Sequence, residues 1–324
     1  MPRPRFPRSD HCDGTRFFNP REHIDRNYLD VWRWKRTSRP TSWPTQVPLE
    51  TSALPAAPRD GTVTATWIGH ATVLLRTRHG DLLIDPMFSD RAGPFGWFGP
   101  RRCHPPAFTL DQLPKPAAVL LTHDHYDHCD IPSLARLAGR RPQPLLITPL
   151  GNGALARRAG FHPARVSELD WWEATELTQG LHVRSVPARH WSNRLSGLRN
   201  RRLWSGFFIH AGGRTVYCAG DTAYDPLMTG EIRERCGAPD LAILPIGAYE
   251  PRWFMAAQHC NPEEAVAIHR EIGAGTSIGV HWGCFPLTDE GREDPPSALA
   301  TARSAAGLNE REFRLLPVGG SIGV

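Results

Sequence analysis

The sequence lacks long apolar runs, paired cysteine motifs and blocks of like charge. No stretch approaches the roughly 18–20 apolar residues that span a bilayer, so it predicts no transmembrane helix. Its seven cysteines are scattered without a C-x-x-C pair, which argues against a disulfide framework and favours a reducing compartment. The net charge of +5 is carried almost wholly by arginine, without the run of about five or six like charges that marks a nucleic-acid arm. We therefore predict no nucleic-acid partner.

The amino-terminal segment is basic, but it does not lead into the apolar core of a secretory signal. Residues 1–8 are followed by Ser9-Asp10-His11, which is polar. We therefore predict a cytoplasmic protein, with a peripheral position at the inner membrane surface left open. The aromatic loop Phe95–Pro100 is the candidate for such a lipid contact.

The chain divides by composition into an arm and one α/β domain. Residues 1–60 are rich in Pro, Arg and Trp, and they predict an irregular arm that packs on the domain, with a short helix near residues 23–35. Residues 61–324 mix β-branched runs with helical patterns and contain no flexible linker, which predicts a single α/β domain. Two helix starts are clear, one at Asp130 and one at Asn261-Pro262, the latter helix ending at Gly273. The sequence leaves a homodimer open.

The strongest local signal is the six-residue segment His123-Asp124-His125-Tyr126-Asp127-His128, which follows the apolar residues 119–121. Burying several imidazoles and carboxylates costs free energy unless they are paired or bound to metal. Strand-like alternation places His123 and His125 on the same side. After a turn, Asp127 and His128 can face a second position. This segment therefore predicts ligands for two adjacent metal ions.

Three further residues are candidate metal ligands because each follows a predicted apolar strand. They are His190, Asp221 and His281. Zinc takes four or five ligands and keeps an open position when the site is catalytic, so one segment cannot complete two sites. Imidazole and carboxylate without thiolate suit zinc, and they also accept iron or manganese. We therefore predict a site with two Zn²⁺ ions at which iron or manganese is an alternative.

Several longer segments resemble the N-acylphosphatidylethanolamine-hydrolysing phospholipase D family of the metallo-β-lactamase superfamily. They include residues 66–73, 85–89, 169–173, 219–222, 245–255, 258–259, 262–265 and 281–283. The resemblance covers roughly residues 60–318, and its most specific part is Pro245–Met255. It implies an α/β fold, the αββα metallo-β-lactamase sandwich of two mixed β-sheets flanked by helices.

The resemblance also implies roles for individual residues. His123, His125 and His190 would hold one zinc, Asp127, His128 and His281 the other, and Asp221 would bridge them. The catalytic candidates are Asp221, Asp127 and His259, and the candidates for substrate binding are Tyr126, His259 and Gln258. Asp124 and His70 are interpreted as residues that support the ligands.

The predicted reaction is hydrolysis of N-acylphosphatidylethanolamine-like lipids to N-acylethanolamine and phosphatidic acid by a hydroxide held by the metals. The predicted partner is therefore a phospholipid or another phosphodiester substrate. A lactonase or other ester hydrolase on the same two-metal site is the alternative. A third hypothesis, a non-catalytic zinc-dependent or nucleic-acid-binding protein, fits poorly with metals that keep open positions.

Overall fold

Two seven-stranded mixed sheets form the centre of the computed structural model, which describes residues 5–21, 24–50, 53–194 and 199–324. The first sheet has the strand order β14-β1-β2-β3-β4-β5-β6. Its strands are β1 (Thr64–Gly69), β2 (Thr72–Arg76), β3 (Leu82–Ile84), β4 (Ala118–Leu120), β5 (Leu145–Pro149), β6 (Val166–Leu169) and β14 (Ser321–Gly323). The second has the order β13-β12-β11-β10-β9-β8-β7. Its strands are β7 (Ala174–Thr178), β8 (Leu181–Val186), β9 (Gly206–Ala211), β10 (Arg214–Cys218), β11 (Leu241–Pro245), β12 (Thr276–Val280) and β13 (Phe313–Arg314).

Helices cover the outer faces of both sheets. Those of the described residues are α1 (Tyr28–Thr37), α2 (Ile131–Ala138), α3 (Gly153–Arg158), α4 (Pro226–Cys236), α5 (Arg252–Met255), α6 (Pro262–Ile272) and α7 (Asp294–Ala305). Apolar side chains of α2 and α3 pack on the first sheet, and those of α4, α6 and α7 pack on the second. In the described part of the chain, no helix has the length and apolar character that crossing a membrane requires.

Apolar residues on both sides of the strands explain the layered architecture. In β3, Leu82 and Ile84 enter the core between the sheets, whereas Leu83 faces the helical layer. In β11, Leu241 and Ile243 also face the other sheet, and the alternate residues face α4 and α6. Because successive strand residues point to opposite faces, an unbroken apolar run indicates a strand covered on both sides. Full burial of each such aliphatic side chain stabilises the fold by about 1.5–3 kcal/mol.

The sheets share one pattern of strand direction. Each sheet has three antiparallel pairings on one side and three parallel pairings on the other. In the second sheet, the parallel pairings join β10, β11, β12 and β13. Parallel strands end at the same edge of a sheet, and ligands bind in α/β proteins beyond those carboxyl ends. The turns after β3, β4, β10 and β12 therefore meet in one region of the molecule.

Two predicted helix starts are confirmed, and a third prediction is partly wrong. α2 begins after Asp130, and α6 begins after Asn261 with a complete capping box and ends at Gly273 in the left-handed conformation. The helix expected near residues 23–35 spans Tyr28–Thr37, because Asn27 caps it; residue 23 lies outside the described residues. The sequence patterns do not predict eight further elements, namely the strands β6, β7, β13 and β14 and the helices α3, α4, α5 and α7.

Contacts from the described part of residues 5–50 reach the rest of the structure at several points. The indole of Trp34 stacks on Phe254 at 4.9 Å between ring centroids and donates a hydrogen bond to Asp289. The Nδ2 of Asn19 donates to the carbonyl of His190 at 2.9 Å. This part of the chain therefore lies against loops that also carry candidate site residues.

Candidate metal centre

Seven histidine and aspartate residues of the sequence prediction lie together beyond the ends of strands. The 123–128 segment follows β4, Asp221 follows β10 and His281 follows β12, while His190 lies in the loop after β8. Hydrogen bonds tie these loops together, such as that from the amide of Ala223, after β10, to the carbonyl of Arg189, after β8, at 2.8 Å. The fold thus concentrates the predicted ligands in one region.

One group, the imidazole cluster, consists of His123, His125 and His190 together with Asp221. Their ligand atoms all lie within 4.8 Å of one another. The Nδ1 of His125 is 3.0 Å from the Nε2 of His123 and 3.1 Å from the Nε2 of His190. Asp221 Oδ2 is 3.8 Å from the Nε2 of both of those rings. Three ring nitrogens and a carboxylate oxygen converge as metal ligands do.

A second group, the carboxylate cluster, consists of His70, Asp127, His128 and His281, whose ligand atoms also lie within 4.8 Å of one another. Asp127 Oδ2 is 3.2 Å from the Nε2 of His281 and 3.4 Å from that of His128. Asp221 Oδ2 is 3.2 Å from both of these nitrogens. One oxygen of Asp221 therefore borders both clusters.

The donor set fits a pair of divalent cations. Among the described residues, the buried Nε2 of His128 and Oδ1 of Asp221 have no hydrogen-bond partner, and a buried polar atom without a partner is costly. Imidazole nitrogens that face one another at hydrogen-bond distance cannot all be satisfied by each other's protons. Ligation of metal by nitrogen and carboxylate oxygen would satisfy both groups, and the absence of thiolate favours zinc, iron or manganese.

The two clusters differ in charge. Burial holds the pKa values of His123 and His125 well below the usual range and lowers the pKa of His190 to about 4. Burial also opposes the charged form of His281, but the carboxylates of Asp221 and Asp127 raise its pKa to about 9. The same carboxylates hold the pKa of His128 well above its usual range against the effect of burial. Without metal, His128 and His281 of the carboxylate cluster therefore carry positive charge near neutral pH, whereas the rings of the imidazole cluster are neutral.

Different partners orient the two clusters. The Nδ1 of His190 lies 2.8 Å from the backbone carbonyl of Gln258, whereas the Nδ1 of His128 lies 2.8 Å from Oδ2 of Asp85. Asp85 also accepts hydrogen bonds from the amide and hydroxyl of Thr122. Such partners fix the ring that reaches the metal. Sequence analysis assigned no role to Asp85, although it follows β3 in the same context that identified Asp221.

Asp124 and His70 occupy different positions. Asp124 is buried, pairs with Arg202 at 3.0 Å and accepts a hydrogen bond from the amide of Asn193, away from both clusters. The Nε2 of His70 lies 2.9 Å from Asp127 Oδ2, inside the carboxylate cluster. Burial lowers the pKa of His70 to about 3, so its neutral ring can donate that hydrogen bond.

The predicted substrate residues are dispersed around the clusters. His259 is buried, and its Nδ1 lies 3.9 Å from Asp221 Oδ2 with no hydrogen-bond partner among the described residues. The side-chain amide of Gln258 faces the sulfur of Met255 at 3.6 Å, so its backbone makes the contact with the site. Tyr126 is half-buried beneath the guanidinium of Arg194, which lies 4.0 Å from its ring centroid.

Comparison with known proteins agrees with this geometry. A family model described as the beta-lactamase superfamily domain matches residues 81–282. The chain belongs to the beta-lactamase superfamily. A solved structure of similar fold is that of Igni18, a metallo hydrolase of Ignicoccus hospitalis, with a TM-score of 0.60, 21% identity and coverage of 81% of this chain and 98% of that one. The predicted αββα fold is therefore confirmed.

Relatives within the superfamily include phospholipases. The N-acyl-phosphatidylethanolamine-hydrolyzing phospholipase D 1 of Caenorhabditis elegans is 39% identical over 229 residues, which are 69% of this chain and 64% of that protein. The mitochondrial N-acyl-phosphatidylethanolamine-hydrolyzing phospholipase D of Saccharomyces cerevisiae is 34% identical over 76% of this chain and 53% of its own length. The predicted resemblance is confirmed, and the matched region spans just over half to about two thirds of these relatives.

Proposed function

We propose that this chain is a two-zinc phosphodiesterase of phospholipase D type, which hydrolyses N-acylphosphatidylethanolamine-like lipids to N-acylethanolamine and phosphatidic acid. The observation that carries the proposal is the position of Asp221, whose Oδ2 lies within 4 Å of histidines in both clusters. The names of the worm and yeast relatives support the choice of lipid.

In the proposed centre, one zinc is held by the imidazole cluster and one by Asp127, His128 and His281, with Asp221 between them. Iron or manganese would accept the same nitrogen and oxygen donors. His70 is proposed to support Asp127 through its 2.9 Å contact, which leaves open metal positions for water and substrate. Two such metals, when bound, lower the pKa of water and neutralise charge on phosphoryl oxygens.

The remaining roles fall to protein side chains near the shared aspartate. His259 is proposed to donate a hydrogen bond from Nδ1 to a phosphoryl oxygen or the leaving oxygen, since that nitrogen is buried without a partner. The neutral ring suits this role, because burial lowers the pKa of His259 to about 3. Tyr126 is proposed to contact the head group, with its ring held by Arg194. Gln258 is proposed to bind the substrate at the same edge of the site, and its backbone carbonyl orients His190.

We also propose that residues 1–60 form an arm on a hydrolase domain of residues 61–324. The contacts of Asn19 and Trp34 with loops of the site support it. For a lipid substrate, the exposed aromatic side chains Phe95, Trp97 and Phe98 offer a peripheral membrane contact. A cytoplasmic enzyme at the inner membrane surface is the arrangement that we propose.

The test combines metal analysis with a substrate panel on the wild-type protein and His128→Ala. The panel contains N-acylphosphatidylethanolamine in mixed micelles, bis(p-nitrophenyl) phosphate and a set of lactones. We expect two zinc ions per chain and release of both lipid products by the wild type, with loss of one metal and of turnover in the variant. His210→Ala, a change at an exposed histidine on β9, is the control and should retain both.

Two outcomes would contradict the proposal in different ways. Turnover of lactones but not of phosphodiesters would favour the alternative ester hydrolase on the same metals. Failure to cleave the lipid while two metals are bound and bis(p-nitrophenyl) phosphate is hydrolysed would reject the lipid substrate and retain the phosphodiesterase.

A further inference from the structure

His190 is held at two atoms by residues from distant parts of the chain. It is buried in the irregular loop after β8, and its ring is oriented by the backbone carbonyl of Gln258 at 2.8 Å. Its own carbonyl oxygen accepts a hydrogen bond from Nδ2 of Asn19 at 2.9 Å. A carbonyl oxygen only accepts hydrogen bonds, so the donor side of the Asn19 amide must face it. Asn19 therefore fixes the backbone of a proposed metal ligand that lies 171 residues away along the chain.

Asn19 belongs to an anchoring segment, residues 5–21, which packs on the rest of the structure through an apolar cluster. The buried members of this cluster are Cys12, Phe17, Trp171, Ala188, Leu203 and Trp204. Ala188 lies in the loop after β8 and comes shortly before His190. The apolar contacts of the anchoring segment therefore reach the same loop as the hydrogen bond from Asn19.

Charged contacts hold the anchoring segment at two further points. His11 is buried and stacks on Trp171 with ring centroids 4.2 Å apart, and its Nε2 lies 2.8 Å from Oδ1 of Asp170. Near the other end of the segment, Arg21 pairs with Glu231 of α4 at 3.3 Å. Exposed ion pairs contribute little, so the buried ring of His11 is the stronger of the two anchors. Together they restrict the position of the residues between them.

We propose that the anchoring segment is a positioning element for the metal centre, with Asn19 as the residue that sets the backbone of His190. The inference rests on the proposed function, and it gives a role to a part of the chain that contributes no ligand. Groups that orient a ligand raise the affinity for its metal, because the ring is directed at the ion before binding. His190 belongs to the imidazole cluster, so we expect the effect at the zinc of that cluster, the first zinc.

The first experiment measures zinc affinity by competition with a chromophoric chelator. Asn19→Ala removes the donor, and Asn19→Asp keeps the shape of the side chain but replaces Nδ2 by an oxygen. The control, Thr15→Ala, removes a hydroxyl that donates to Asp13 within the anchoring segment. We expect the first zinc to bind about tenfold more weakly in Asn19→Ala, at least as weakly in Asn19→Asp, and normally in the control. Wild-type affinity in Asn19→Asp would overturn the proposal, because it would show that the N–H group is not needed.

A second comparison identifies the zinc that is affected. The carboxylate of Asp85 contacts Nδ1 of His128 in the carboxylate cluster, so Asp85→Asn should weaken the second zinc, the one held there. The double variant of Asn19→Ala and Asp85→Asn should then lose affinity at both zinc ions, each by the factor of the single variant. If both substitutions weaken the same zinc, or if Asn19→Ala weakens both ions equally, the positioning of His190 is rejected.

His11→Leu tests whether the anchoring segment is what places Asn19. Leucine keeps an apolar contact with Trp171 but removes the contact with Asp170. We expect the first zinc to bind about threefold more weakly, within the range for one lost hydrogen bond that acts at a distance. The unfolding temperature of the metal-free protein is measured beside the affinity. A lower unfolding temperature with unchanged zinc affinity in both His11→Leu and Asn19→Ala would show a merely structural segment and would overturn the proposal.

Hydrolysis of bis(p-nitrophenyl) phosphate separates this inference from the proposed function. In Asn19→Ala, turnover should fall at limiting zinc and return towards the wild-type rate when zinc is raised by about tenfold. If the wild type binds two zinc ions but cleaves no phosphodiester, while Asn19→Ala still weakens one zinc, the proposed function fails and the positioning role stands. If the wild type cleaves the ester and Asn19→Ala binds both zinc ions as tightly as the wild type, the function stands and this inference fails.

Discussion

The two metal-binding clusters contain similar residues but are built differently. The imidazole cluster brings together three neutral rings, and a backbone carbonyl orients His190. In the carboxylate cluster, the neighbouring aspartates raise the pKa values of His128 and His281, so that both rings stay protonated. The side chain of Asp85 orients His128. Metal must displace protons from the second cluster but not from the first. We therefore expect the two metals to differ in affinity and in their response to pH and substitution.

The largest effect is expected at the residue that the clusters share. Asp221→Asn removes the negative charge within 4 Å of histidines on both sides while it preserves the size of the side chain. We expect zinc affinity at both positions to fall by more than about 100-fold, the upper end for residues that merely orient a ligand. Competition with a chromophoric chelator measures both affinities. Loss of one metal with full retention of the other would show that Asp221 serves a single cluster.

Replacement of Asp85 should affect the carboxylate cluster alone. In Asp85→Asn, an amide that donates to Nδ1 of His128 would force the ring proton onto Nε2, the nitrogen that faces Asp221. We expect the second zinc to bind about 10- to 100-fold more weakly and the first to be unchanged. The same chelator titration reports both sites.

Asp240→Asn is the matched control for that substitution. Asp240 also accepts hydrogen bonds from a threonine amide and hydroxyl, those of Thr215, but it directly precedes β11, whereas the clusters lie beyond the carboxyl ends of the strands. Its amide variant should bind both metals normally. An equal loss of both metals in Asp85→Asn would contradict the separate orientation of the two clusters.

The ease of prediction differs between ligands and the residues that support them. His190, Asp221 and His281 each follow an apolar strand, and strand ends meet at one edge of the fold. Their choice among the fifteen histidines and the aspartates of the chain also rested on the family resemblance. Asp85 follows β3 in the same way. Its contact with Nδ1 of His128 could not be predicted, because no sequence pattern indicates which carboxylate orients a given histidine ring. The φ of 41° at Asp85 and that of 63° at His281 depend on tertiary contacts, since side chains other than glycine rarely adopt the left-handed region.

The layers of the fold were predictable for a related reason. Unbroken apolar runs such as Leu82–Ile84 indicate strands covered on both faces, and the family resemblance implied that two mixed sheets form the sandwich. A cavity of about 170 Å³ beside Tyr126 could not be predicted, because residues that line it, such as Phe95, Arg158 and Arg202, come from distant parts of the chain. Their proximity is a property of loop conformation, for which periodicity carries no information.

The pH dependence of metal binding should differ between the clusters. The pKa of about 9 at His281 means that zinc displaces a proton from this ring throughout the range from about pH 7 to 9. The apparent affinity of the second zinc should therefore rise with pH, by about tenfold per pH unit for each displaced proton. The pKa of His190 is about 4, so the affinity of the first zinc should vary little between about pH 6 and 8. Chelator competition at several pH values checks both slopes, and parallel slopes would remove the proposed difference.

The smallest effect is expected at His70, which decides how many histidines the carboxylate cluster contributes as ligands. If His70 only donates a hydrogen bond to Asp127, then His70→Leu should weaken the second zinc by about tenfold, the effect of losing one hydrogen bond to a charged group. His70→Gln can place an amide N–H near the position of the ring Nε2, and it should restore most of the affinity. Zinc content at saturation should stay at two per chain in both variants. If His70 is itself a ligand, glutamine will not rescue the loss, and both variants should resemble His128→Ala in metal content. The comparison thus separates a residue that orients Asp127 from one that binds the metal, at a position where the 2.9 Å contact is compatible with either role.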